Sequence, residues 1–153
     1  MKGSIWIVVS WVCLMVFFSQ CGPSSKEVDI YEDMDFRTRI RMRQYMTEGK
    51  GLYQIHCANC HGEDGKGLGK LIPPLAKADF LQNNIEAAIC ISRNGMQGSI
   101  VVNGVEYNQQ MPGHDDLTDL EIAEIVTFVG NAWGNKSGLI DVKTTSKILE
   151  GCE

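Results

Sequence analysis

The stretch from His56 to Gly69, HCANCHGEDGKGLG, crowds two cysteines, two histidines and four glycines into fourteen residues. Four chemistries use such residues, and spacing separates them. A phosphate loop needs GxxxxGK followed by Ser or Thr. Here three residues separate Gly65 from Gly69, and Lys70 is followed by Leu71, so the spacing and the magnesium ligand are both wrong. Structural zinc takes four Cys or His ligands, commonly as two pairs. Cys57, Cys60 and His61 lack a clean second pair, with only His114 or Cys90 to recruit. A redox dithiol places CxxC at the start of a helix after a strand, where the helix dipole lowers the thiol pKa. The residues before Cys57 read as helix, and no alternation of strand and helix surrounds them.

The fourth chemistry is haem attachment, for which Cys57-Ala58-Asn59-Cys60-His61 has the required order. Two thiols three residues apart each add to a vinyl group at the porphyrin edge, and the adjacent imidazole then falls over the iron. CxxCH also arises by chance, so the rest of the chain has to carry part of the weight.

Export is one such support, because c-type haem is attached outside the cytoplasm. The chain begins MKGSIWIVVSWVCLMVFFSQCG: Lys2 supplies a positive start, and Ile5 to Phe18 is apolar except for Ser10. That run fits an export signal of ~7–15 apolar residues and falls short of the ~20 that cross a bilayer. Cys21, followed by Gly22 and the tether-like Pro23-Ser24-Ser25, resembles a bacterial lipoprotein signal, cleaved before the cysteine that takes the lipid. Gln20 departs from the usual Gly, Ala or Ser at the preceding position. The alternatives are an uncleaved anchor, or a secreted form in which Cys21 is incidental. Without residues 1–20 the net charge moves from −5 to −6, Lys2 being the only charge removed. An acidic surface argues against nucleic acid as a partner. Composition, 44% apolar and 22% charged, suits one small globular core.

Between tether and motif, Arg37, Arg39, Arg41 and Arg43 stand at every second position, which predicts an extended basic arm, solvated or docked on a partner or anionic lipid. Thr47-Glu48 predicts a helix start, with Gly49, Leu52, Tyr53 and His56 on one face. Gly49 and Gly51 each cost that helix on the order of 1 kcal/mol, which close approach of another helix would explain. A second helix is expected over Asn84 to Asn94, closed by Gly95. Asn103-Gly104 inside IVVNGVEY predicts one tight hairpin. Thr118 and Glu121 form a capping box, Leu117 and Ile122 a staple, and Ile122, Ile125, Val126, Val129 and Trp133 an apolar stripe ended by Gly134. Residues 136–153 are polar, without strong periodicity, and read as a tail.

From about Thr47 to Asn135 the chain resembles a class I monohaem cytochrome c. The matching motifs, in order, are the Gly49–Tyr53 helix, CANCHG, the GEDGKG loop, Pro73-Pro74-Leu75, VNGVEYNQQMPG, and LTDLEIAEIVTFV ending in Trp133. The resemblance implies an all-α class I cytochrome c fold, with crossing N- and C-terminal helices around one covalent haem c and one small β-hairpin. It divides the chain into a signal peptide (1–20), a tether and basic arm (21–46), the haem domain (47–135) and a C-terminal tail (136–153). It implies Cys57 and Cys60 as thioether anchors, His61 and Met111 as axial ligands of the iron, and a carbonyl of the Pro73-Pro74 segment, assigned to Pro74, holding the other nitrogen of His61. Gly49 would be the close-contact point against the Val129 to Trp133 end of the C-terminal helix.

Met96, in NGMQG, competes for the distal position. Met111 is preferred because Pro112 stiffens its loop and because it lies between hairpin and last helix; Met96 then fills core. His114, nearby, reads as a solvated loop histidine. With both axial positions filled by protein, the implied role is single-electron transfer, not bond-making chemistry. Its partners would be respiratory, reductase or oxidase proteins on the periplasmic side, reached by an exported, lipid-anchored carrier with no small-molecule substrate. The alternative is a haem enzyme, peroxidase or gas-reactive, should Met111 not ligate. Cys90 and Cys152 either bridge, contributing roughly 4 kcal/mol at most by loop closure, or stay free with Cys90 buried as a small apolar residue.

Overall fold

The computed structural model describes residue 31 and residues 33–152. The export signal and the lipid site at Cys21 lie outside the described residues.

Helix α1 runs Phe36–His56, eleven residues earlier than Thr47-Glu48 predicts. Its cap is Asp35, whose carboxylate accepts from the backbone N–H of Arg37 (2.9 Å) and Thr38 (3.3 Å). Thr47 is mid-helix, its hydroxyl donating back to the Arg43 carbonyl at 3.0 Å. The basic segment is therefore helical, not an extended arm. Met42, Tyr45, Gly49 and Tyr53 form the buried stripe, and the exposed Arg37, Arg41 and Arg43 stand outside it. Arginine tolerates any position on a solvated helix because its stem can lie along the surface, so its alternation carries no strand signal.

Cys57 ends α1 and opens a single turn, α2 (Ala58–His61), closed by Gly62 at φ 78°. Two short helices follow, α3 (Asp79–Asn83) and α4 (Ile85–Asn94), the latter stopped by Gly95 at φ 74°. Strands β1 (Ile100–Val102) and β2 (Val105–Tyr107) pair antiparallel, Ile100 with Tyr107 and Val102 with Val105. Asn103 (φ 50°) and Gly104 (φ 77°) make the turn the Asn-Gly pair predicts. Asn103 also exchanges two hydrogen bonds with Asp79, fixing the hairpin to the start of α3.

Helix α5 (Asp119–Asn131) carries the expected capping box and is buried from Ile122 to Asn131. Its stripe faces the core, while α1 and the last helix cover its other sides. A Cβ on Gly49 would overlap the Glu124 carbonyl and crowd Phe128 Cβ. The crossing thus falls about a turn earlier on α5 than Val129 to Trp133. Trp133 instead joins Tyr53 and Phe128 in an aromatic cluster, with Tyr53–Trp133 centroids 5.2 Å apart and Phe128–Trp133 centroids 5.3 Å.

The expected tail holds a helix, α6 (Val142–Leu149), capped by Asp141 and packed on α4 and α5. Few of its residues are apolar: Ile148 and Leu149 pack on the core beside the wholly buried Thr145, a face too short to stand out as periodicity in the string. Thr127 binds it to the core from α5: the hydroxyl donates to the Ile140 carbonyl and accepts from the Ile140 N–H, both at 3.1 Å. A disulfide joins Cys90 on α4 to Cys152 beyond α6, Cα atoms 5.5 Å apart. Thiol counting under denaturing, non-reducing conditions is expected to find neither residue reactive; two titratable sulfhydryls there would contradict the bridge. All-α with crossing terminal helices and a small hairpin is thus the architecture observed.

Candidate functional site

Around α2, the 67–75 loop, α4, the hairpin and α5, the chain encloses a cavity of about 460 Å³, a size typical of cofactor sites. Its lining is mostly apolar, including Ile72, Leu81, Ile91, Val102, Ile125 and Val129. The donors are Cys57, Cys60, His61, Met96 and Met111.

One helical turn brings Cys57, Cys60 and His61 to this cavity, since residues three and four apart share a helix face. The turn is held at both ends: the Cys57 N–H donates to the Tyr53 carbonyl at 2.9 Å, and the Tyr53 hydroxyl donates to the Gly62 carbonyl at 2.6 Å. Both cysteines are free thiols. Burial, then the neighbouring Cys60, pushes Cys57 up to about 11. Cys57 is therefore a neutral thiol at ordinary pH, inert as a redox nucleophile.

His61 is buried, and its Nδ1 lies 3.1 Å from the Pro73 carbonyl oxygen. A carbonyl only accepts, so the proton sits on Nδ1 and the lone pair of Nε2 is left for a metal. Burial pushes the imidazole pKa down, and the Pro73 bond only partly opposes it, which favours the neutral form a ligand needs.

The carbonyl that meets the ring is that of Pro73, one residue before the expected Pro74. Leu68 N–H takes the Ile72 carbonyl at 3.0 Å, and the following carbonyl is the one turned to His61. Pro74 lines the cavity instead. Gly67 (φ 69°) lies so close beneath the Ile72 and Pro73 carbonyls that any Cβ would overlap them. The strap is stitched down beyond the prolines, Leu75 N–H donating to Gly65 (2.7 Å) and Asn135 Nδ2 to the Leu75 carbonyl (2.8 Å).

Met96 and Met111 face each other in an isolated antiparallel bridge, with N–H to carbonyl distances of 2.8 and 3.0 Å. The sequence shows two competing methionines; the fold makes them neighbours. Gly95 and Gly113 allow this, because a Cβ on either would overlap the other's segment. Arg93 ties the loop down, donating to the Asp115 and Leu117 carbonyls and pairing with Asp119 at 2.6 Å. His114 lies outside the cavity lining, half-buried, its ring edge-on to His56 with centroids 5.4 Å apart. With Cys90 in a disulfide and His114 against His56, neither completes a zinc set.

Sequence reasoning missed Arg93, Gly113 and Asn135. A signal existed for Gly113 alone: Gly95-Met96 and Met111-Pro112-Gly113 both set a glycine within two residues of a methionine.

The chemistry of this donor set fits a haem: two thiols to bond the porphyrin edge, a neutral imidazole presenting Nε2, thioethers, and an apolar chamber to exclude water. Residues 46–133 match the family model described as cytochrome c. A cytochrome c-552 of Thermus thermophilus is 36% identical over 92 residues, covering 58% of this chain and 70% of that protein. A second cytochrome c-552 from the same species is likewise 36% identical over 92 residues, covering 58% of this chain and 62% of that protein. The cytochrome c subunit of a quinone alcohol dehydrogenase from Gluconacetobacter polyoxogenes is 30% identical over 106 residues, covering 67% of this chain and 22% of that longer protein.

Proposed function

The chain belongs to the cytochrome c family, an electron-carrying role, and from that premise we propose that it transfers single electrons through one covalent haem with His61 and Met111 as axial ligands. A haem held there supplies a one-electron ferrous/ferric couple. The observation that carries the ligation is the oriented His61, its Nδ1 engaged by Pro73, on the same turn as two free thiols facing one cavity.

Each residue has a separate task in this reading. Cys57 and Cys60 would anchor the group, each thiol S–H adding across a vinyl double bond with no oxidant consumed. His61 presents Nε2, and the Pro73 carbonyl fixes its ring and raises its basicity. Met111, stiffened by Pro112 and pinned through its bridge to Met96, presents a soft sulfur that favours the ferrous state and raises the potential. Apolar residues of α4 and α5 keep water away, so little reorganisation accompanies the change of charge.

The N-terminal segment fits the same role. Residues 1–20 direct export, Cys21 takes a lipid after cleavage, and the carrier works at the periplasmic membrane surface between redox proteins. The quinone alcohol dehydrogenase subunits illustrate a related setting, a cytochrome c within a larger oxidoreductase.

A redox titration of the haem-loaded chain tests the carrier reading. One reversible transition with a slope of ~59 mV per decade is expected, without turnover of peroxide. Sustained peroxide consumption at an enzyme's rate would favour the haem-enzyme alternative.

A further inference from the structure

We infer that the first two turns of α1 are a contact surface for anionic phospholipid headgroups, built from Phe36 and Ile40 and bracketed by Arg37, Arg41 and Arg43. Phe36 is 75% exposed and Ile40 51%, although both are large and apolar. Four residues apart on a helix, they share one face. Met42 and Tyr45, which anchor this end of α1, are buried on the other side.

Charge selects the occupant. Phe36 to Thr47 contains four arginines and no acid; the acids Glu27, Asp29, Glu32, Asp33 and Asp35 all lie before Phe36, so the basic charge is confined to the helix itself. Arg39 is half-buried and donates to the Met34 carbonyl at 3.2 Å, but Arg37, Arg41 and Arg43 are exposed. None of those three has an acidic partner among the described residues; Arg43 lies over the Tyr31 ring, 5.3 Å from its centroid. An exposed apolar pair flanked by cations can rest against anionic headgroups, the cations on phosphate and the apolar pair at the acyl boundary. Among the described residues no helix is long and apolar enough to cross a membrane, so this surface rests on the bilayer and does not span it.

The position in the chain agrees. The apolar run Ile5 to Phe18 and Cys21 precede it, and residues 21–35 reach at most ~50 Å when fully extended. On the proposed anchoring, a lipid on Cys21, or equally an uncleaved segment, would keep Phe36 within reach of the bilayer. Seating this end of α1 on headgroups orients the other end, which leads to Cys57, relative to the membrane.

The test is an arginine footprint of the full haem-loaded chain mixed with vesicles of phosphatidylcholine alone, or of phosphatidylcholine with phosphatidylglycerol. Phenylglyoxal modification is read by peptide mass spectrometry. On the anionic vesicles Arg37, Arg41 and Arg43 are expected to react several-fold more slowly than on neutral ones. High salt should abolish that protection, and the double variant Phe36→Ser/Ile40→Ser should weaken it while keeping the haem spectrum. Arg93, paired with Asp119, serves as the unchanged internal reference. Equal reactivity on both vesicles overturns the inference, as does protection on neutral vesicles that persists in high salt. Sedimentation of haem with neutral vesicles reports separately on the N-terminal anchor.

Discussion

A Gly49→Val protein is expected to lose roughly 3 kcal/mol or more of stability, near the upper end for overpacking of a core. The reason is what faces the glycine. Its missing Cβ would sit on the Glu124 carbonyl and carbon and against Phe128 Cβ. A backbone carbonyl inside α5 cannot swing aside as a flexible side chain does, so α1 and α5 must separate. Separation would open the Tyr53–Phe128–Trp133 cluster and strain the Tyr53 bond to Gly62, which steadies the CANCH turn. Gly51 provides the contrast: a Cβ there meets nothing within 4 Å, so Gly51→Ala is expected to stabilise by up to ~1 kcal/mol through helix propensity. Guanidinium unfolding of the two haem-loaded variants measures both. Equal midpoints would remove Gly49 as the point of crossing.

Replacing Met111 by alanine is expected to lower the reduction potential by a sizeable part of the ~0.8 V over which axial ligands tune haem iron. Stability does not distinguish Met111 from Met96. Both line the cavity, both are half-buried and both belong to the same backbone bridge, so truncating either to alanine removes packing and costs stability. The potential does distinguish them, because only the ligating sulfur stabilises the ferrous state directly. Met96→Ala should therefore leave the midpoint close to that of the unaltered protein while lowering stability. A large fall in the Met96 variant, with Met111→Ala unchanged, would reverse the assignment.

Local devices were legible in the sequence and longer-range ones were not. Asn103-Gly104, the Thr118–Glu121 capping box and the Gly95 stop each involve residues within a few positions, so their chemistry is written in the string. The spacing of Cys57, Cys60 and His61 is local in the same sense. Gly49 was legible as a close approach, but its partner on α5 was not, because the register of two helices depends on the whole interface. The alternating arginines read as an extended arm, so the start of α1 at the Asp35 cap was not legible. Helix α6 was hidden by its shortness and polar composition; Ile148 and Leu149 pack on the core, while the Thr127–Ile140 bonds and the Cys90–Cys152 bridge hold the segments before and after it. Arg93 and Asn135 look like ordinary surface residues in the string, yet Arg93's partners lie 22 to 26 residues away and Asn135, besides the nearby Val129 carbonyl, reaches Leu75, 60 residues away. A polar residue whose partners are distant carbonyls leaves no periodic trace.

The ferric absorption spectrum of the haem-loaded protein, beside its Met111→Ala and Met96→Ala variants, addresses the axial assignment most directly. A weak band near the red end of the spectrum reports sulfur on ferric iron. The assignment requires that band in the unaltered protein and in Met96→Ala, and its loss in Met111→Ala. A band that survives Met111→Ala and vanishes in Met96→Ala would contradict it.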